Sequence, residues 1–279
     1  MGVPQQIEDQ AAAWNGTAGL SWVEAQETLD GLLRPFEELL VETVLARGAR
    51  SVLDVGCGTG ATTLAIARAL DGGGVVGVDI SEPMIAVARS RAEREHLAVK
   101  FVVADAQSHT FEPGFFDTIV SRFGVMFFDD PTRAFANLRS AVRRGGDLAL
   151  IAWRSPAENP FMTAAERAAA PFLPDIPPRR VDGPGPFAFA DARRVRDILA
   201  ASGWADIEVR PLDVACTFAK ADLAGYVTRI GPLGRVLRNA DERARARIVE
   251  AVLPAFDPYV DGAEVRFVAA CWLIGGRSA

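Results

Sequence analysis

Apolar positions along the chain change their period from segment to segment. From Leu29, the positions Leu32, Leu33, Phe36, Leu39, Leu40 and Val44 recur at helical spacing, and residues 7–47 read as helical throughout. A break is expected at Asn15-Gly16-Thr17-Ala18-Gly19, flanked by Trp14 and Trp22, with Pro35 near the start of the third helical piece, where proline is tolerated. Beyond it, short and continuously apolar runs alternate with helical stretches. Strands are predicted over 51–55, 75–79, 99–104, 116–121 and 147–153, and helices over 61–70, 82–95 and 131–143. Runs with so little polar alternation suit strands covered on both faces. Strand–helix alternation implies a mostly parallel sheet with right-handed crossovers.

Helix ends carry matching signals. Ser81 precedes Glu82-Pro83 and Asp130 precedes Pro131, each a capping side chain before a first-turn proline. Arg143-Arg144-Gly145-Gly146 reads as a helix C-terminus, with cations and glycine. After Trp153 the order changes. A helix over 161–172 leads into a proline-rich loop over 174–186, and Asp191 caps a helix over 192–202 that Gly203 ends. A strand over 207–218 carries Pro211, which restricts it to a sheet edge or bulge. Residues 220–256 are helical with an interruption at Gly231-Pro232, and 265–274 forms the last strand, an antiparallel partner at the sheet edge.

Composition narrows the function classes. Of 279 residues, 49% are apolar and 24% charged, enough to bury a real core. A net charge of −6 and the absence of a lysine/arginine-rich aromatic stretch disfavour a nucleic-acid partner. Cys57, Cys216 and Cys271 form no CxxC pair, and His96 and His109 are isolated, so neither a disulfide framework nor a metal is expected. The N-terminus shows no secretory pattern, and 265–274 is too short to span a bilayer, so the chain reads as cytoplasmic, with no membrane partner.

The chemistry gathers at Ser51-Val-Leu-Asp54-Val-Gly56-Cys-Gly58-Thr59-Gly60. A strand breaks at a glycine turn that opens a helix, which lets backbone approach a ligand closely. Forced into the dinucleotide pattern G-x-G-x-x-[GA], the match is weak, because Gly60 falls one residue early and an acid stands two residues before the first glycine. Asp54-x-Gly56-x-Gly58-x-Gly60 instead resembles the first motif of class I S-adenosylmethionine-dependent methyltransferases. Val75-Val-Gly-Val-Asp79 and Phe101-Val-Val-Ala-Asp105-Ala106 end two further strands in acids, and the 116–128, 130–139 and 145–150 stretches resemble the fourth strand, helix and fifth strand of that family. The resemblance is strong over 50–153 and looser toward both ends.

That resemblance implies an α/β, Rossmann-like, doubly wound and mostly parallel seven-stranded sheet with an antiparallel last strand. It also implies an N-terminal helical lid (1–47), a core (48–219 and 257–279) and a helical insertion (220–256) capping an acceptor. S-adenosyl-L-methionine would be the cofactor and S-adenosyl-L-homocysteine the product. Gly56, Gly58 and Gly60, with Thr59, would approach the methionine part, Asp79 the ribose hydroxyls, and Asp105 and Ala106 the adenine. Ile80 and Met84 either pack on the adenine or belong to the core. Asp54 either meets the donor's ammonium or ties down the turn. Arg122 contacts the methionine carboxylate or an acidic acceptor, or forms a surface ion pair.

No catalytic base stands out, and His109 reads as a solvated loop residue. Trp14, Trp22, Phe123, Phe127, Trp153 and Tyr226 are the candidate acceptor pocket, with Met126 and Phe161 as further apolar surface and Glu158, Asn159 and Tyr259 as structural or pocket residues. Together they point to a small, largely apolar or aromatic acceptor. The competing readings are an NAD-dependent oxidoreductase, a non-catalytic S-adenosylmethionine-binding module, and a tRNA or protein methylase. A homodimer is the oligomer allowed for.

Overall fold

The computed structural model describes residues 10–70, 73–173, 183–238 and 240–279, so residues 7–9 of the N-terminal helical reading and 174–182 of the proline-rich loop lie outside the described residues. Three helices come first: α1 (Gln10–Asn15), α2 (Thr17–Glu24) and α3 (Gln26–Ala46). The expected five-residue break is narrower. Gly16 alone separates α1 from α2 and Ala25 alone separates α2 from α3, so Thr17, Ala18 and Gly19 are helical. Pro35 is not near a helix start; it sits inside the 21-residue α3. Its missing hydrogen bond costs about 3 kcal/mol. The buried face of Leu29, Leu32, Leu33, Phe36, Leu40 and Val44 offsets this, at roughly 1.5–3 kcal/mol per large side chain.

The core then runs β1 (Ser51–Val55), α4 (Ala61–Ala69), β2 (Gly74–Asp79), α5 (Glu82–Arg94), β3 (Lys100–Val103), β4 (Phe116–Arg122), α6 (Pro131–Ala141) and β5 (Val142–Trp153). Helices α7 (Pro160–Ala169) and α8 (Ala192–Ala201) lead to β6 (Trp204–Ala219). The insertion follows as α9 (Leu223–Arg229), α10 (Gly231–Arg238) and α11 (Glu242–Val252), before the short β7 (Val260–Asp261) and β8 (Glu264–Ser278). The sheet order is β3-β2-β1-β4-β5-β8-β6, with β7 paired to β8 off this path. β1 to β5 pair in parallel, and β8 is antiparallel to both β5 and β6. Leu53, Val78, Ile119 and Leu150 are fully or almost fully buried, as expected of strands covered on both faces. Pro211 lies in the edge strand β6, where its missing donor is tolerated.

Two helix-end expectations are corrected. α6 stops at Ala141, and Arg143 to Gly146 belong to β5, because Val142 pairs with Phe116 and the Arg143 guanidinium holds Asp117 at 2.6 Å. The Ser81 hydroxyl does not cap α5; it donates to the Trp14 carbonyl at 2.7 Å. The vacated cap is filled from the N-terminal segment, where Asn15 Oδ1 accepts from the Glu82 N–H at 2.8 Å and Asn15 Nδ2 donates to the Ile80 carbonyl at 3.0 Å. Asp130 caps α6 as expected, accepting from the Arg133 N–H.

Strand order reverses between β1 and β4. The crevice beyond the carboxyl ends of strands at such a switch point is where open α/β sheets bind ligands.

Candidate active site

Asp54 and Val55 end β1 at that crevice, and the next turn carries Gly56 (φ 68°), Gly58 (φ 56°) and Gly60 (φ 86°), all in the left-handed region. The three glycines serve different neighbours. A Cβ on Gly56 would stand 2.6 Å from the Cα of Gly124, so it is the crossing of two backbones that excludes a side chain. On Gly60 it would meet Ala88 and Phe101 at 2.9 and 3.0 Å, under α5 and β3. Gly56 and Gly58 line a cavity of about 680 Å³, while Gly60 lies off its wall, beneath α5.

Two buried carboxylates hold the turn. Asp54 is 1% exposed and accepts from the Thr63 hydroxyl of α4 at 2.6 Å. Burial raises its pKa to about 6, against the lowering effects of Thr63 and Arg122. Asp79, ending β2, accepts from the Gly58 N–H at 2.8 Å and the Ser81 N–H at 2.9 Å. Burial pushes its pKa up as well, and the backbone N–H groups of Ser81, Gly58 and Ile80 oppose the shift. From α5, Arg91 donates to the Thr59 carbonyl at 2.9 Å and pairs with Asp30 of α3 at 2.8 Å, tying the glycine turn to the N-terminal helices.

The adenine-side acid expected from the sequence, Asp105, accepts from the Gln107 N–H at 2.9 Å, and the adjacent Ala106 is buried with its carbonyl taken by Asn137. Asp54, Gly56, Gly58, Thr59, Asp79, Ile80, Met84, Asp105, Ala106 and Arg122 all line the one cavity. Arg122 is no surface ion pair. Its side chain is 12% exposed, donates to the Leu33 carbonyl at 3.3 Å and stands 3.9 Å from Glu37, and burial lowers its pKa.

The six aromatic candidates line the same cavity. Phe123 and Trp153 are stacked, and Trp14 stands edge-on to both Trp22 and Phe127. Other candidates lie elsewhere. Asn159 exchanges two 2.9 Å hydrogen bonds with the backbone of Ala270, Glu158 binds Ser155 and Arg154, and Tyr259 and Phe161 pack on one another. His109 is half-buried against Phe111 and is not on the cavity wall.

Sequence reasoning missed Leu29, Asp30 and Leu33 of α3, Gly124, Arg229 to Pro232, Arg235 and Phe267, all on the cavity wall. The α3 residues read as ordinary core from their spacing. The others carry no local signal.

These residues fit an adenosyl sulfonium donor. Two acids stand at neighbouring strand ends with Ile80 and Met84 near them, while the turn presents backbone at Gly58, where a Cβ would meet Met84 at 2.8 Å. Asp54 and Arg122 supply opposite charges at the turn.

Comparisons with known proteins agree with that fit. A family model described as "Methyltransferase domain" matches residues 52–146. A demethylmenaquinone methyltransferase of Thermus thermophilus is 34% identical over 43% of this chain, which spans 55% of that relative's length. One from Renibacterium salmoninarum is 28% identical over 66% of the chain and 78% of the relative. Among solved structures, YcgJ of Bacillus subtilis superposes with a TM-score of 0.57 at 20% identity, covering 86% of this chain and 97% of that one. The magnesium protoporphyrin IX methyltransferase of Synechocystis gives 0.58 at 16% identity, covering 96% and 97%. The matched stretch, residues 52–146, holds the glycine turn, Asp79 and Asp105, so the candidate site lies in the part of the chain that is similar to a methyltransferase domain.

Proposed function

We propose that this protein transfers a methyl group from S-adenosylmethionine to a small, largely apolar or aromatic acceptor. The observation that carries the reading is one continuous cavity lined at once by Asp79, Asp105 and the aromatic set Trp14, Trp22, Phe123, Phe127, Trp153 and Tyr226. Two relatives named for demethylmenaquinone, an apolar quinone acceptor, support the same class.

In this reading Asp79 receives the ribose hydroxyls, and Asp105 with the Ala106 N–H takes the adenine edge. Gly56, Gly58 and Thr59 offer backbone to the methionine part, whose ammonium and carboxylate face Asp54 and Arg122. When bound, the donor supplies an already activated methyl carbon on a positive sulfur. The remaining task is to bring the two reactants together without water, and proximity alone supplies a large share of such an acceleration. The aromatic wall orients the acceptor.

The N-terminal segment 1–47 acts as a lid and 220–256 as the acceptor cap. Supporting this, Trp14 and Trp22 of the first and Tyr226 and Ile230 of the second line the cavity, and Arg238 of α10 bridges to Ser21 (2.8 Å) and Glu24 (3.1 Å) of α2. Among the described residues, no helix is long and apolar enough to cross a membrane.

Calorimetry with S-adenosylhomocysteine and NADH tests the donor, and binding of NADH alone overturns it. Release of S-adenosylhomocysteine in a screen of phenols, quinols and aromatic thiols tests the acceptor class. Turnover only with a basic peptide or tRNA overturns that part.

A further inference from the structure

The N-terminal helices bring an acid to the glycine turn. α3 presents Gln26, Leu29, Asp30 and Leu33 to the cavity, the i, i+3, i+4, i+7 stripe of one helix face. Leu29 and Leu33 are buried, whereas the Asp30 side chain is 19% exposed. Arg91 of α5 fixes where that side chain stands. One of its guanidinium nitrogens donates to the Thr59 carbonyl at 2.9 Å and the other lies 2.8 Å from Asp30 Oδ2. A single guanidinium therefore sets Asp30 against the turn.

These contacts do not use up the carboxylate. Gln26 Nε2 donates to the same Oδ2 that meets Arg91, and among the described residues Oδ1 takes neither bond. An ionised carboxylate accepts at both oxygens, so half of its capacity remains. Asp54 differs, being 1% exposed and engaged by the Thr63 hydroxyl. Arg122 of β4 stands on the same wall as Asp30. Burial lowers its pKa, and of the acids that oppose this Asp30 acts most strongly, ahead of Glu37 and Asp54. An acid of α3 and a guanidinium of β4 thus share the turn end of the cavity.

We infer that Asp30 Oδ1 receives the ammonium of the donor's amino-acid end while Arg122 receives its carboxylate, so that the N-terminal segment itself grips the donor. The inference rests on the methyl-donor reading of this cavity. Ammonium and carboxylate sit on one carbon of the donor, and holding both takes opposite charges side by side. Hydrogen bonds between charged groups are the strong ones, and a guanidinium fork suits a carboxylate. Asp54 adds negative charge from behind the turn. Asp30 keeps some contact with solvent, so its share of the affinity is about tenfold and not a thousandfold. Because Asp30 belongs to α3, a bound donor fastens that helix to the turn.

The test uses the full chain, with S-adenosylhomocysteine and the analogue that lacks only its amino group, 5′-S-(3-carboxypropyl)-5′-thioadenosine. Calorimetry is expected to show the first binding about tenfold tighter. In D30N that ratio falls toward one, through weaker binding of S-adenosylhomocysteine, while affinity for the analogue holds or rises. A merely structural role for Asp30 would weaken both ligands alike. Amide exchange in the natural chain gives a reading that needs no variant: S-adenosylhomocysteine slows exchange over 26–33 more than the saturating analogue does. A ratio near one in the natural chain, a ratio that survives in D30N, equal loss of both ligands, or equal protection overturns the inference. If neither ligand binds the natural chain, the donor reading falls and takes this one with it; if both bind equally, only the role of Asp30 is lost.

Discussion

Phe123 and Trp153 lie face to face, with ring centroids 4.2 Å apart and planes within 6°, and Phe36 of α3 stands edge-on to both. Phe123 reaches this position from a left-handed backbone (φ 64°), a conformation that costs a residue with a side chain about 1–2 kcal/mol. Stacking and burial offset that cost, so the cavity floor stores strain that the core repays.

The stability of the two small variants at this position is therefore expected in an unusual order. Phe123→Ala and Phe123→Gly both lose the ring, at about 3–5 kcal/mol. Only alanine keeps the backbone penalty, so the glycine variant should be the more stable of the two by about 1 kcal/mol. Urea unfolding measures both, and an alanine variant at least as stable as the glycine one contradicts the strain.

Donor binding is expected to depend on Asp79 and Gly58 together, since one accepts from the other's N–H. Asp79→Ala removes the acid assigned to the ribose. Gly58→Val forces a branched side chain into φ 56° and against Met84. Calorimetry with S-adenosylhomocysteine should show each affinity reduced at least about tenfold. Unchanged affinity in both would overturn the site.

Asp54 gives stability a pH dependence whose sign is set by burial. Its folded pKa of about 6 lies above the ordinary 3.8, so the folded chain keeps a proton that the unfolded chain has released. The stabilisation from that proton is complete below about pH 4 and lost as pH rises through about 6. Unfolding midpoints of the natural chain should therefore fall relative to those of Asp54→Asn between pH 4 and 7. Parallel curves would refute the shift.

Asn15 joins the N-terminal helices to α5 by filling the cap that Ser81 leaves empty. Asn15→Ala is expected to cost about 1 kcal/mol. Amide exchange in 10–24 should speed up while that of β1 and β4 is unchanged. Equal protection in both proteins would show that the side chain is not the fastening.

What was legible in the sequence was local. Continuous apolar runs marked the buried strands, the 56–60 glycines marked a turn with positive φ, and acids at strand ends placed Asp79 and Asp105 beside it. Each follows from neighbours in the chain, because strand period, backbone freedom and helix start are short-range properties. The aromatic candidates were named as a group, but their shared wall depends on β4, β5, the N-terminal helices and the insertion folding together.

Only the tertiary structure decided the remainder. Gly56 is glycine because Gly124, 68 residues on, crosses it at backbone distance, and Gly60 serves the packing of α5 and β3 instead of the cavity. Pro35 remains inside α3 because that helix buries a whole face. Arg122 turned out to be buried, and Arg229 and Arg235 came to the cavity wall through a corner between two helices. Contacts between distant segments exist only once the chain has closed on itself. Chain order therefore determined the donor turn, and folding decided what stands opposite it.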